Sequence, residues 1–171
     1  MEKLVYFVLC ASIAFHIVYI YKGSIVDKTL TQRAIKNVLV SNRALQVFLL
    51  LFWLVLVFGP TFGIGQYWLL GIIFLVVGQF LNAMVYYRIG IDGVYYGREY
   101  GIVNDPYCTK FPFTIPHPMY VGCILTIVGL FVLVGFNEDG SIRMCVANLM
   151  ILMTLEIIAS LYVECKYIDS G

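Results

Sequence analysis

The residues best suited to chemistry crowd into one stretch, residues 88–122, which reads RIGIDGVYYGREYGIVNDPYCTKFPFTIPHPMYVG. Gly93, Gly97 and Gly101 recur every fourth residue, with Gly90 just before them. On a helix this spacing makes one face with almost no side chains. Such a face serves either close helix packing, the usual role of small-xxx-small spacing in a membrane, or a flat cofactor lying against exposed backbone. Pro112, Pro116 and Pro118 block regular helix and predict a stiff, extended loop. In that loop His117 is clamped between two prolines, and Tyr120 stands at the start of the next helix. Irregular backbone at membrane depth is tolerated where protein or a water-filled cavity covers it. No soluble-type fingerprint competes: Gly63-Ile-Gly65 lacks the third glycine of a dinucleotide-binding turn, and there is no Walker loop, Ser-His-Asp arrangement or helical histidine pair.

The elements that must position this stretch are apolar helices. Hydrophobic residues make up 61% of the 171-residue chain and charged residues 12%, against roughly a quarter charged in a soluble domain. Apolar runs at residues 4–21, 44–58, 67–87, 119–136 and 144–163 approach the about 20 residues that cross a bilayer as helix. The second run is short unless Gln46 and the Gly59-Pro60 end sit at the interface. Only residues 137–143 separate the last two runs, so these must form an antiparallel hairpin, either arm of which can tilt or re-enter. The expected fold is therefore all-α: a polytopic membrane helical bundle of four to five spans with a C-terminal hairpin and a cytoplasmic Gly/Tyr/Pro-rich cofactor segment. A single domain is expected over residues 1–171, with N-terminal spans in 1–66 and the catalytic half in 67–171. The first run ends in Tyr19-Ile20-Tyr21-Lys22 rather than a small-residue cleavage pattern, which reads as a retained span.

Charge sets the expected orientation. Lys22, Lys28, Arg33, Lys36, Arg43, Arg88, Arg98, Lys110 and Lys166 fall on one side of the alternating spans, and Lys3 and Arg143 on the other. The positive-inside rule then places the N-terminus in the lumen and the basic connections in the cytoplasm. The first basic connection also carries Val26, Leu30, Ala34 and Val38 four residues apart, as either an interfacial amphipathic helix or an ordinary charged loop would. A formal net charge of +1 argues against a nucleic-acid partner. The five cysteines, at positions 10, 108, 123, 145 and 165, lack metal-ligand spacing and read as packing residues, so no metal is expected. Glu156 lies well inside the last apolar run, where an ionisable residue is either functional or a carboxyl bonding a neighbouring helix.

Several short motifs in order, Gly78-Gln-Phe-Leu-Asn82, Gly93-Val-Tyr-Tyr-Gly97, Phe111-Pro-Phe113, Pro118-Met-Tyr-Val-Gly122 and Glu164-Cys-Lys166, resemble the membrane phospholipid N-methyltransferases, which belong with the isoprenylcysteine carboxyl methyltransferases. The Gly-Val-Tyr-Tyr-Gly and Glu-x-Lys elements are most similar to the plant-type phosphatidyl-N-methylethanolamine enzymes. The resemblance covers about residues 77–166, and the first two runs match only in hydropathy and position. It implies S-adenosyl-L-methionine as co-substrate, held by Gly78, Gly93, Gly97, His117, Pro118, Tyr120, Gly122 and Glu164. It also implies an endoplasmic reticulum membrane and a phospholipid substrate, the monomethyl and dimethyl lipids preferred over phosphatidylethanolamine. Two departures stand out: Pro116 occupies the place where the wider family often has Arg, and Val163 precedes Glu164 where animal and fungal relatives pair two glutamates.

Methyl transfer from a sulfonium to an amine is an in-line displacement, so alignment contributes much of the catalysis. Positive charge leaves sulfur and appears on nitrogen, where aromatic faces or carboxylates stabilise it. Tyr95, Tyr96, Tyr100 and Tyr120 can supply faces, and Glu99, Glu164 and Asp92 can supply charge. The amine must attack unprotonated; Glu99 and His117 are the candidate bases, with Tyr120 beside them, and Arg88 or Arg98 is placed for the lipid phosphate. A carboxyl methyltransferase, a nicotinamide-dependent reductase relative and a noncatalytic scaffold are the rival readings. Replacing Glu99 with Gln is expected to slow transfer while leaving cofactor binding nearly intact; unchanged turnover at neutral pH would remove it as the base.

Overall fold

Residues 2–22, 31–58, 67–96, 101–102, 110–137 and 140–169 are described by a computed structural model, with side chains described for all but 2, 20–22, 57–58 and 163–169. Five α-helices follow in order: α1 Glu2–Lys22, α2 Gln32–Phe58, α3 Trp68–Val94, α4 Pro118–Val134 and α5 Met144–Asp169. They fit the helical membrane bundle expected from the apolar runs. Three helical stretches are long and apolar enough to cross a membrane, Gln32–Leu56, Trp68–Val94 and Met144–Tyr162, while Lys3–Tyr19 and Pro118–Val134 are apolar but shorter. At 1.5 Å per residue, α4's 17 residues rise about 25 Å, somewhat less than the ~30 Å hydrocarbon core.

The largest departure from expectation is at α2. The stretch before the second apolar run was expected to be an amphipathic surface helix or a charged loop, yet from Gln32 onward it is one helix with that run. No glycine or proline interrupts residues 32–58. Thr31 caps the start: its Oγ1 accepts from the Ala34 N–H at 3.3 Å, and its carbonyl from the Ile35 N–H at 3.1 Å. Arg33, Lys36 and Arg43 are thus helical residues. Val26 and Leu30 lie outside the described residues.

The chain packs as two compact units, one of residues 1–63 with 155–171 and the other of residues 64–154. In the first unit α1 and α2 run antiparallel, Tyr6 meeting Trp53 with ring centroids 5.7 Å apart while Ser12 bonds Asn42. Buried positions on α2 are Gln32, Ile35, Leu39, Asn42, Gln46, Leu49 and Trp53, and on α1 Val5, Leu9, Ser12, Ile13 and His16. The α2 series alternates steps of three and four, the seven-residue repeat of coiled-coil packing, and Val5, Leu9, Ser12 and His16 keep the same steps on α1 with Ile13 beside them. Toward the middle of that seam the apolar pattern gives way to polar residues.

In the second unit α3 and α4 run antiparallel at close range. A methyl group placed on Gly78 would lie 2.6 Å from the Gly122 carbonyl oxygen and 2.7 Å from Thr126 Oγ1. One placed on Gly129 would lie 2.8 Å from the Gly71 carbonyl oxygen. Two glycine pairs seven residues apart on each helix therefore let the backbones touch, as small residues do between helices in lipid. Around them Gln79 Nε2 donates to Thr126 Oγ1 at 2.9 Å, and Asn82 faces Cys123 at 3.9 Å. The expected hairpin between the last two runs is present: the Arg143 N–H donates to the Gly135 carbonyl at 2.7 Å and the Asn137 N–H to the Ser141 carbonyl at 2.8 Å. Gly78→Ala is expected to lower stability by about 1–3 kcal/mol, because backbone rather than a flexible side chain opposes the new methyl; thermal unfolding in detergent measures it.

Candidate functional site

The chemically rich stretch belongs to the second unit, where α3 ends and α4 begins. α3 is interrupted at Gly90, whose φ of 68° and ψ of 173° only glycine adopts readily. One further helical turn follows and closes with the Tyr95 N–H donating to the Ile91 carbonyl at 3.1 Å. Tyr96 then takes a left-handed φ of 64° and is buried. The expected glycine-lined helical face is accordingly not one helix: Gly90 breaks it, Gly101 is a turn residue with φ 69°, and Gly97 lies outside the described residues. The nearest atoms to a methyl placed on Gly93 belong to Ile89 of the same helix.

The proline loop also departs from the extended form expected of it. The Phe113 N–H donates to the Lys110 carbonyl at 2.9 Å and the Ile115 N–H to the Pro112 carbonyl at 3.0 Å, so the chain turns twice in succession. The Phe111–Pro112 peptide is cis, and Pro112 is fully buried. Proline's fixed φ suits a turn as well as an extended strand, which is why composition alone misread the path. His117 precedes Pro118 and is barred from right-handed helix by the proline ring; it takes the left-handed conformation, φ 48° and ψ 56°, and serves as the N-cap of α4. Its carbonyl accepts from the N–H groups of Tyr120 at 3.0 Å and Val121 at 3.1 Å. Pro118 fills the first helical position, where its missing N–H is not needed.

Several predicted residues meet here. Arg88 Nε donates to the Phe111 carbonyl at 3.2 Å, tying the end of α3 to the proline loop, and its guanidinium lies 5.9 Å from the centre of the Tyr87 ring. Phe111 stacks on Phe80 at 6.2 Å. Tyr86 and Tyr95 hydroxyls are 3.3 Å apart. The exposed His117 imidazole sits 6.1 Å from the buried Tyr120 ring, centre to centre. One end of the unit thus combines a cation, an imidazole able to take a proton and aromatic faces able to receive a positive charge.

Other predicted residues fall elsewhere. Gly78 and Gly122, expected against the cofactor, face each other across the α3–α4 contact, where a close helix approach needs their missing side chains. Arg98, Glu99 and Tyr100 lie, with Gly97, outside the described residues. Glu164 belongs to α5 in the first unit, and its side chain is likewise outside them. Among the described residues, no group of three or more His, Cys, Asp or Glu could hold a metal ion. Sequence reasoning singled out Glu156 but missed its neighbours: Ser12 and His16, and Asn42 and Gln46, are pairs four apart inside apolar helices, a spacing that could have revealed a shared polar face.

A family model described as phospholipid methyltransferase matches residues 67–169, the segment that carries α3, α4 and α5. A phosphatidyl-N-methylethanolamine N-methyltransferase of Arabidopsis thaliana is 44% identical over 61 residues, which cover 35% of this chain and 37% of that protein. A Saccharomyces cerevisiae protein of the same description is 38% identical over 68 residues, covering 39% of this chain and 33% of its own length. The chain thus matches about a third of the length of each of these curated relatives. No solved structure gives a significant match. His117→Gly is expected to leave the melting temperature unchanged or raised, since glycine takes φ 48° freely, whereas His117→Val is expected to cost about 1–3 kcal/mol in the same melt.

Proposed function

The chain belongs to the phospholipid methyltransferase family, and on that premise we propose that it transfers methyl groups from S-adenosyl-L-methionine to the amine of phosphatidyl-N-methylethanolamine and phosphatidyl-N,N-dimethylethanolamine, yielding phosphatidylcholine. The observation that carries this reading is the family match over residues 67–169, which includes the Arg88–Phe111 and His117–Tyr120 arrangements. The two relatives named for the monomethyl lipid support the choice of substrate. Phosphatidylethanolamine itself is then a poor substrate.

In the proposed step the lipid nitrogen attacks the sulfonium methyl carbon in line. The carbon–sulfur bond breaks as the carbon–nitrogen bond forms, and sulfur leaves as a neutral thioether. The ammonium proton must depart first, to His117 or Glu99. Gly93, Gly97, His117, Pro118 and Tyr120 hold the co-substrate, with Glu164 added by resemblance. Arg88 and Arg98 take the phosphate, and Tyr95, Tyr96 and Tyr100 line the path of the cationic headgroup. The acyl chains stay among the helices in an endoplasmic reticulum bilayer, with residues 88–122 facing the cytoplasm and the N-terminus the lumen.

Membranes containing the chain, incubated with methyl-labelled S-adenosylmethionine and each of phosphatidylethanolamine and its mono- and dimethyl forms, test the proposal. Label is expected in the products of the methylated lipids, and His117→Gly is expected to reduce it about 10²–10⁴-fold if the imidazole is the base. No labelled lipid under any condition would support a noncatalytic scaffold.

A further inference from the structure

The residues proposed for methyl transfer do not include the polar set buried in the first unit. Ser12 Oγ donates to Asn42 Oδ1 at 2.7 Å, Asn42 Nδ2 lies 3.1 Å from His16 Nδ1, and His16 Nδ1 lies 3.3 Å from Glu156 Oε1. Gln46 Nε2 donates to that same oxygen at 3.2 Å. Arg43 alone of the set turns outward: its side chain is 37% exposed, against 2% for Glu156. Its Nη1 faces inward, donating to Gln46 Oε1 at 2.9 Å and Glu156 Oε2 at 3.0 Å. Nε and Nη2 have no hydrogen-bond partner among the described residues.

Position along α2 says what those donors meet. The helix has 27 residues, about 40 Å, more than the ~30 Å core requires. Counted back from Phe58, about 20 residues of crossing begin near Leu39, leaving Gln32, Arg33 and Lys36 outside the hydrocarbon and Arg43 about one turn inside it. Helical side chains lean toward the N-terminus, and a long cationic one near a span end reaches for the interface. Open N–H groups at that depth require an acceptor, and the phosphate layer supplies one. Lys36 stands two turns earlier on the same stripe, with Arg33 beside it. Among the described residues, the charged and titratable groups facing Arg43 are His16 on α1 and Glu156 on α5, with Lys36 and Arg33 further toward the start of α2.

We propose that Arg43, held on its inner edge by Glu156 and Gln46, binds the phosphodiester of a glycerophospholipid through its outer edge, in the leaflet where α2 begins. The planar Nε/Nη2 fork matches two phosphate oxygens, and the inner contacts hold it in place before the lipid arrives. This site lies on α2, outside the family match over residues 67–169, and it is read by binding, so it stands or falls independently of methyl transfer.

The full chain in detergent is titrated with short-chain phosphatidylethanolamine, phosphatidylglycerol, the matching diacylglycerol and inorganic phosphate, with occupancy read by native mass spectrometry. Measured in an Arg88→Gln/Arg98→Gln background, which removes the phosphate contacts proposed for the methyl-transfer site, both phospholipids are expected to bind about tenfold more tightly than diacylglycerol, and adding Arg43→Gln/Glu156→Gln is expected to abolish that advantage. Glu156→Gln alone removes the competing carboxylate and keeps the guanidinium, so it is expected to bind phospholipid at least as tightly as the wild type. Arg43→Lys keeps a charge beside Glu156 but loses the fork, and is expected to bind several-fold more weakly. The assignment is overturned if diacylglycerol binds equally well, if Glu156→Gln loses as much as the double variant, if Arg43→Lys binds undiminished, or if inorganic phosphate displaces the lipid.

Discussion

Helices in lipid gain nothing from hiding apolar surface against one another, because the lipid tails are equally apolar. Association must come from close packing and from polar contacts, and in the second unit it comes from backbone meeting backbone. Gly71 and Gly78 on α3 meet Gly129 and Gly122 on α4 in antiparallel register, with the same seven-residue step on each helix. Little freedom remains once both pairs are engaged. The register aligns Gln79 with Thr126 and Asn82 with Cys123, and it sets where α3 ends relative to where α4 begins. The Arg88–Phe111 link and the Phe80–Phe111 stack span that gap. The candidate site therefore inherits its geometry from glycines that contribute no chemistry of their own.

The first unit solves the same problem by the opposite means. Its α1–α2 seam is apolar toward Val5, Leu9 and Trp53 and polar at Ser12, His16, Asn42 and Gln46, where Glu156 of α5 completes the set. A polar residue at a seam position favours one register over its neighbours, because a slipped pairing would strand donors and acceptors in hydrocarbon. Arg43 joins that buried set to the lipid surface, which makes the same side chain both a fastener and an available cation.

Backbone strain is concentrated where the chemistry is proposed. Tyr96 and His117 both occupy left-handed conformations that cost a non-glycine residue roughly 1–3 kcal/mol. Tyr96 is buried after the broken end of α3, and at His117 the following Pro118 disfavours right-handed helix. Holding an imidazole at a helix cap in a single backbone state suits a reaction whose rate rests on alignment.

Much of the fold was legible in the chain itself. Long apolar runs can be satisfied in a bilayer only as helix, so element type and number follow from hydropathy, although α2 begins twelve residues before its apolar run, and the seven residues between the last two runs leave no connection but a hairpin. The motifs of residues 78–166 likewise carried the family. What only the tertiary structure decided was which partner each ambiguous residue meets. Glycine spacing does not say which helix lies against it, and contact geometry set Gly78 and Gly122 against each other across the α3–α4 contact. Prolines exclude helix without choosing between extended chain and turn, and hydrogen bonds to the Lys110 and Pro112 carbonyls chose turns. A lone glutamate in an apolar run has no legible partner, because Arg43 and Gln46 stand more than a hundred positions away and only packing brings them to Glu156. Local sequence determines what each helix must bury, but the identity of the group it is buried against is a long-range property, settled only when the helices meet.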